Sequence, residues 1–89
     1  SKERIKMLNG LSLIKEIKVY DGTVNFILCR LNGRFSNAQE LQEALLPFHI
    51  LIRQCGNYTG LDESYFRLAI RTDTENQKLL EALRKVFHP

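Results

Sequence analysis

Residues 24–31 constrain the fold of this chain more than any other segment, because they are largely apolar on both faces of a strand. A strand with this pattern is covered on both sides, so the sequence predicts a central position in a sheet. Asp21-Gly22 before it is a strong hairpin signal, and Asn32-Gly33 ends it. The partner strand is predicted around Ile17 and Val19, which alternate with polar residues.

The first ten residues are predicted to be helical, with Ile5 and Leu8 at helical spacing. Asn9-Gly10 is a stop signal, but no convincing N-cap precedes the helix. This asymmetry indicates the end of a longer helix, and therefore a chain that is a fragment of something longer.

Two more helices are predicted from capping boxes. Ser36 with Gln39 begins one helix, which Pro47 helps to end, and Thr72 with Glu75 begins the last one. Their apolar residues recur at helical spacing and are therefore expected to lie in the core.

Two further strands are predicted at residues 50–55 and 65–71, joined by a loop at residues 56–64 that is long for a hairpin. Longer loops are more often functional. The predicted fold class is α+β: a small, mostly antiparallel sheet of about four strands with helices packed on one face. At 89 residues, the chain is expected to form one domain, residues 1–89.

Composition and charge exclude several classes of function. The formal charge is only +3, and the basic residues are spread out, so no nucleic-acid partner is expected. No apolar stretch is long enough for a membrane span. His49 and His88 lie too far apart in sequence to suggest a metal site. Cys29 and Cys55 are expected to be small core residues in a reducing compartment, which favours a cytoplasmic location.

Arg53 and Arg67 are the candidate site residues, because each lies on an apolar, strand-like segment. Three interpretations remain open. Each arginine reaches solvent or pairs with a surface acid such as Asp62 or Glu63. Alternatively, the two guanidinium groups together hold a carboxylate or phosphate, or they anchor a protein partner. Arg71 is a further candidate, but its place at the strand end favours a solvated or capping role.

The segments around these arginines resemble a known family. The stretch LIRQCGNY, then GL, then YFRLAIRT and EN is similar to the C-terminal small domain of the pyridoxal-phosphate-dependent fold-type I aminotransferases. Within that class the chain most resembles the threonine-phosphate decarboxylases of cobalamin biosynthesis, close relatives of histidinol-phosphate aminotransferases. The resemblance covers nearly the whole chain, and its most specific part is the paired arginines with the NY-x-GL motif between them.

The resemblance implies roles for the two arginines. Arg67 would bind the α-carboxylate of a phosphorylated amino-acid substrate, and Arg53 would help to hold its carboxylate or phosphate. Histidinol-phosphate aminotransferases usually show a pattern like R-I-x-I-G here, whereas this chain has Arg71 in place of that glycine. The difference favours the decarboxylase branch over the aminotransferase branch.

The same resemblance limits what this chain does alone. The family's Schiff-base lysine, its cofactor-phosphate loop and its aspartate for the pyridine nitrogen belong to the large domain, and no corresponding motifs occur here. The chain is therefore expected to be a C-terminal fragment that is not an enzyme by itself and binds no cofactor. The full-length parent would use pyridoxal 5'-phosphate and form a homodimer. The alternative from another class is a small non-catalytic interaction module.

Overall fold

The computed structural model describes residues 1–56 and 58–89, with the side chain of Asp21 left out, so Asn57 of the NY-x-GL motif lies outside the described residues. Its helices and strands, in chain order, are α1 (Lys2–Leu11), β1 (Ile17–Thr23), β2 (Phe26–Leu31), α2 (Ala38–Leu45), a 3-10 turn (Leu46–Phe48), β3 (Arg53–Gln54), β4 (Tyr65–Ala69) and α3 (Asp73–Phe87).

The four strands form one antiparallel sheet in the order β1-β2-β4-β3. The predicted central position of β2 is confirmed, since it pairs with β1 on one side and β4 on the other. Burial alternates along β2 and β4, so each strand presents its most buried side chains to one face of the sheet.

The helices cover one face of the sheet and leave the other without a helical layer. Ile27 and Cys29 from β2 and Phe66 and Leu68 from β4 are buried in the same core cluster as the apolar side chains of the helices. Those helical residues are Met7, Leu11, Ala38, Leu41, Leu45, Leu79, Leu80, Ala82, Leu83, Val86 and Phe87. The predicted α+β architecture, with helices packed on one face, is confirmed.

The hairpin turn lies later than predicted. Strand β1 continues through Gly22 to Thr23, and the turn is formed by Val24 and Asn25. The register between β1 and β2 is irregular between Tyr20 and Thr23, as at a β-bulge. A Cβ at Gly22 would lie 2.2 Å from the Phe26 carbonyl oxygen. Glycine is needed here because the two strands approach closely, and not because it forms the turn.

Helix α1 also departs from the prediction at both ends. The Ser1 side chain accepts a hydrogen bond from the Arg4 amide at 3.2 Å and caps the helix, and Asn9-Gly10 does not stop it. Gly10 has a packing role instead: a Cβ there would lie 2.5 Å from Leu80 Cδ1 on α3. The glycine lets the two helices approach closely.

The cap of α2 lies one residue after the predicted Ser36. Asn37 Oδ1 accepts from the Glu40 amide at 2.9 Å, and the Glu40 carboxylate accepts from the Ser36 amide at 2.7 Å. The predicted cap of α3 is confirmed, since Thr72 Oγ1 accepts from the Glu75 amide at 3.3 Å.

The third strand is much shorter than predicted, with only Arg53 and Gln54 in the ladder. The residues before it are held by a side chain of α2. Gln42, which is almost fully buried, donates to the Ile50 carbonyl at 2.8 Å and accepts from the Ile52 amide at 2.7 Å. The amide side chain thus replaces ladder bonds and places Arg53 at the start of β3.

Candidate functional site

The uncovered side of the sheet, here called the open face, carries the side chains that point away from the helices: Phe26, Leu28 and Arg30 of β2, Tyr65, Arg67 and Ala69 of β4, and Arg53 of β3. Arg53 pairs directly with Arg67 across the β3–β4 ladder. Directly opposed residues have Cβ atoms about 4.5–5.5 Å apart. The structure therefore brings the two candidate site residues together.

Arg67 is half-buried, and its guanidinium contacts two aromatic rings. Its Cζ lies 4.6 Å from the ring centroid of Phe26 and 5.4 Å from that of Tyr58. Its Nη2 also donates a hydrogen bond to the Tyr58 hydroxyl at 3.2 Å. Contacts of this kind stabilise a cation and restrict its orientation.

The Nε atom of Arg67 is buried and has no hydrogen-bond partner among the described residues. A buried donor without an acceptor costs about 1–3 kcal/mol, and more for a charged group. The first interpretation, that each arginine reaches solvent or pairs with a surface acid, agrees with the exposure of Arg53. Among the described side chains, however, the ion pairs involve neither Arg53 nor Arg67. This part of the open face is therefore suited to bind an anion.

A small open pocket of about 320 Å³ lies beside the Arg67 guanidinium. Its lining residues are Gly22, Thr23, Phe26, Leu28, Cys55, Tyr58, Leu61 and Arg67. One cation among mainly apolar walls is an arrangement that orients a small anion. Arg53 is exposed and lies next to this pocket through its pairing with Arg67.

The two cysteines have different surroundings. Cys29 lies in the core cluster as predicted, and burial, with a smaller contribution from Cys55, raises its pKa to about 12. Cys55 is also fully buried, as predicted, although it lies outside the main core cluster and lines the Arg67 pocket. Burial raises the pKa of Cys55 as well, although the Arg67 charge and a side-chain hydrogen bond between Arg67 and the thiol oppose the shift. Neither thiol is therefore activated as a nucleophile.

The contact between Tyr58 and Arg67 was not predicted from the sequence. Its amide donates to the Cys55 carbonyl at 3.1 Å, and its carbonyl accepts from the Leu61 amide at 3.1 Å. Gly60 has a φ of +82°, which glycine adopts without strain. The NY-x-GL motif gives the signal for a turn here, but only the folded loop places the tyrosine over the strand.

Two further features of the described chain bear on function. Among the side chains at residues 1–56 and 58–89, without Asp21, no group of three His, Cys, Asp or Glu is placed to share a metal ion. None of the described helices combines the length and the apolar character needed to cross a membrane.

The chain has relatives among two kinds of enzyme. It is 40% identical over 85 residues to a threonine-phosphate decarboxylase of Salmonella typhimurium and 37% identical over 82 residues to a histidinol-phosphate aminotransferase of Methanothermobacter thermautotrophicus. These alignments cover 96% and 92% of this chain but only 22% of each relative. No protein-family model matches the chain.

Solved structures give the same two enzymes. A histidinol-phosphate aminotransferase from Clostridium acetobutylicum superposes with a TM-score of 0.88 at 40% identity, over 96% of this chain and 25% of that one. An L-threonine-O-3-phosphate decarboxylase from Porphyromonas gingivalis superposes with a TM-score of 0.87 at 28% identity, over 99% of this chain and 27% of that one. The chain is therefore a homologue of the C-terminal region of the fold-type I enzymes threonine-phosphate decarboxylase and histidinol-phosphate aminotransferase.

Proposed function

We propose that this chain, residues 1–89, is the C-terminal small domain of a larger pyridoxal-phosphate-dependent threonine-phosphate decarboxylase. Its open face forms one wall of the active site, where Arg67 binds the substrate α-carboxylate and Arg53 helps to hold the carboxylate or phosphate. The observation that carries this proposal is the Arg67 guanidinium, held against Phe26 and Tyr58 with its Nε buried and without a described partner.

The physical argument for an anionic substrate group rests on the donors of Arg67. A guanidinium forms forked hydrogen bonds to a carboxylate or phosphate, and these bonds are stronger where water is excluded. Apart from the bond from Nη2 to Tyr58, the terminal Nη1 and Nη2 groups donate to no described oxygen atom, so they are the donors that a bound anion would engage. Arg53, directly across the ladder, would add a second cation.

The described residues suit the substrate anion and not the cofactor itself. The resemblance assigns the lysine, phosphate loop and aspartate that hold the cofactor to the remaining part of the enzyme. When bound there, pyridoxal phosphate supplies an electron sink for the bond that breaks at the substrate α-carbon. The task of this chain is orientation, since the position in which Arg67 holds the carboxylate sets which bond at that carbon is aligned for cleavage.

The choice of reaction rests on one position. Arg71 occupies the place where the aminotransferase pattern R-I-x-I-G has glycine, which favours decarboxylation. The 40% identity to the Clostridium aminotransferase structure supports the second candidate, a histidinol-phosphate aminotransferase. In either case we expect the parent to act as a cytoplasmic homodimer on a phosphorylated amine, which for the decarboxylase is a phosphorylated amino acid.

The proposal is tested on the native gene product. A mass of about 40 kDa, roughly two to three domains of typical size, supports a small domain within an enzyme, whereas a mass near the 10.4 kDa of this chain supports an interaction module. The full-length protein is then incubated with O-phospho-L-threonine, and separately with histidinol phosphate and 2-oxoglutarate. Release of CO₂ from the first substrate supports the decarboxylase, and amino-group transfer from the second overturns that choice.

A further inference from the structure

We propose that Tyr58 is a positioning residue for Arg67 and that, together with Phe26, it fixes the guanidinium in its anion-binding orientation. We call these two residues the aromatic pair. The inference deepens the proposed function and rests on it, because it assumes that Arg67 binds a substrate carboxylate. Tyr58 acts through Arg67 and is not itself assigned a contact with the substrate.

The need for such a residue follows from the nature of arginine. A long, flexible side chain loses conformational freedom when it binds a ligand, and this loss weakens binding unless the side chain is already ordered. Arg67 is approached by both rings of the aromatic pair, with Cζ-to-centroid distances of 4.6 Å to Phe26 and 5.4 Å to Tyr58. Ring contact alone restrains the plane of the guanidinium only loosely.

The Tyr58 hydroxyl fixes the rotation of the Arg67 guanidinium. It accepts from Arg67 Nη2 at 3.2 Å, and this bond selects one rotation of the guanidinium about its long axis. In that rotation both N–H groups of Nη1 and the second N–H of Nη2 donate to no described oxygen atom. The bond thus holds Arg67 in an orientation that leaves donor capacity for a ligand.

Tyr58 is itself held firmly enough for this role. Its backbone bonds to Cys55 and Leu61, each 3.1 Å long, fold the loop over the open face. Strand β4 fixes the Arg67 backbone through its pairing with β2 and β3. The two partners therefore approach each other from separate backbone segments, each fixed by its own backbone hydrogen bonds.

The test compares two ligands that differ in one group. O-phospho-L-threonine carries the carboxylate, and aminopropanol phosphate is the same molecule without it. Their dissociation constants are measured by calorimetry on the full-length protein with the cofactor removed, so that neither ligand is converted, for wild type and for Tyr58→Phe, Tyr58→Leu and Arg67→Ala. Phe48→Leu is the control, because Phe48 is an exposed aromatic residue of the 3-10 turn whose ring centroid lies 5.8 Å from Lys85 Nζ of α3, and it is not one of the open-face residues.

We expect Tyr58→Phe to weaken binding of O-phospho-L-threonine by about three- to tenfold and Tyr58→Leu to weaken it further, because the ring contact is also lost. Binding of aminopropanol phosphate should change by less than about twofold, since Arg67 has no carboxylate to hold there. In the Arg67→Ala background, Tyr58→Phe should have no additional effect. Phe48→Leu should leave both dissociation constants unchanged.

The possible negative results distinguish a failure of the positioning role from a failure of the proposed function. If Arg67→Ala weakens only O-phospho-L-threonine while Tyr58→Phe weakens neither ligand, or both equally, the positioning role is overturned and the proposed function stands. The same holds if Tyr58→Phe keeps its full effect in the Arg67→Ala background. If Arg67→Ala weakens both ligands equally, or neither, the proposed function itself fails.

Discussion

Arg53 and Arg67 are direct cross-strand partners on β3 and β4, on the face of the sheet that no helix covers. Like charges placed directly opposite each other in a sheet are destabilising. Among the described side chains, neither guanidinium forms an ion pair with an acid. Under the proposed function, an anion bound between the two guanidinium groups would relieve this repulsion.

This relationship predicts opposite effects of Arg53→Gln on stability and on binding. Removing one charge should raise the free energy of unfolding by about 0.2–1 kcal/mol, because the repulsion is relieved. The same variant should bind O-phospho-L-threonine more weakly. Urea denaturation and calorimetry measure the two effects, with Arg84→Gln on the exposed side of α3 as the control. Loss of stability in Arg53→Gln would argue against the repulsion.

Gln42 is predicted to determine how well β3 is held. Gln42→Met preserves the size of the side chain but leaves the Ile50 carbonyl and the Ile52 amide without their partner. We expect the free energy of unfolding to fall by about 2–3 kcal/mol and the Ile52 amide to exchange faster with solvent. Gln77→Met, at an exposed position of α3, should change neither quantity. Unchanged exchange at Ile52 in Gln42→Met would show that other contacts hold the segment.

Asp62 is predicted to make stability depend on acidic pH. Hydrogen bonds from the Ser64 side chain and backbone hold the pKa of Asp62 below its ordinary value of 3.8, and the Arg30 charge adds to them against the opposing effect of burial. The stabilisation is therefore complete above that ordinary value and is lost as pH falls through the lowered pKa. The difference in unfolding free energy between wild type and Asp62→Ala should shrink from pH 6 towards pH 2. A difference that stays constant over this range would contradict the prediction.

The cysteines are predicted to resist thiol reagents in the folded protein. Burial raises the pKa of Cys29 to about 12 and also raises that of Cys55, so little thiolate forms at pH 8. An aromatic disulfide reagent should label neither residue until denaturant is added, after which both should react. Rapid labelling of one equivalent in the native protein would show that a thiol is accessible and ionised.

The sequence predicted features that depend on local patterns. The central position of β2 follows from its two apolar faces, and the start of α3 follows from Thr72 and Glu75. Features that depend on distant contacts were missed. Gly10 is a helix stop in isolation, but it becomes a packing position only because Leu80 lies against it.

The candidate site was also predicted only in part, because some of its contacts join residues that are distant in sequence. Arg53 and Arg67 stand out in sequence because charges are rare in apolar strands, and the structure places them side by side. The surroundings of Arg67 were not predicted, because Tyr58 reaches it through the fold of a loop and Phe26 from another strand. Cys55 is buried as predicted, and alternation along residues 53–55 explains why it lies on the face of Arg53 and lines the Arg67 pocket.

The most direct test of the central claim is the kinetics of Arg67→Ala in the full-length protein with O-phospho-L-threonine, with Arg84→Ala as the control. If Arg67 holds the substrate carboxylate, kcat/KM should fall by a factor of roughly 10² or more, equivalent to about 3 kcal/mol, and Arg67→Lys should restore only part of it. Near-normal kcat/KM in Arg67→Ala would contradict the account.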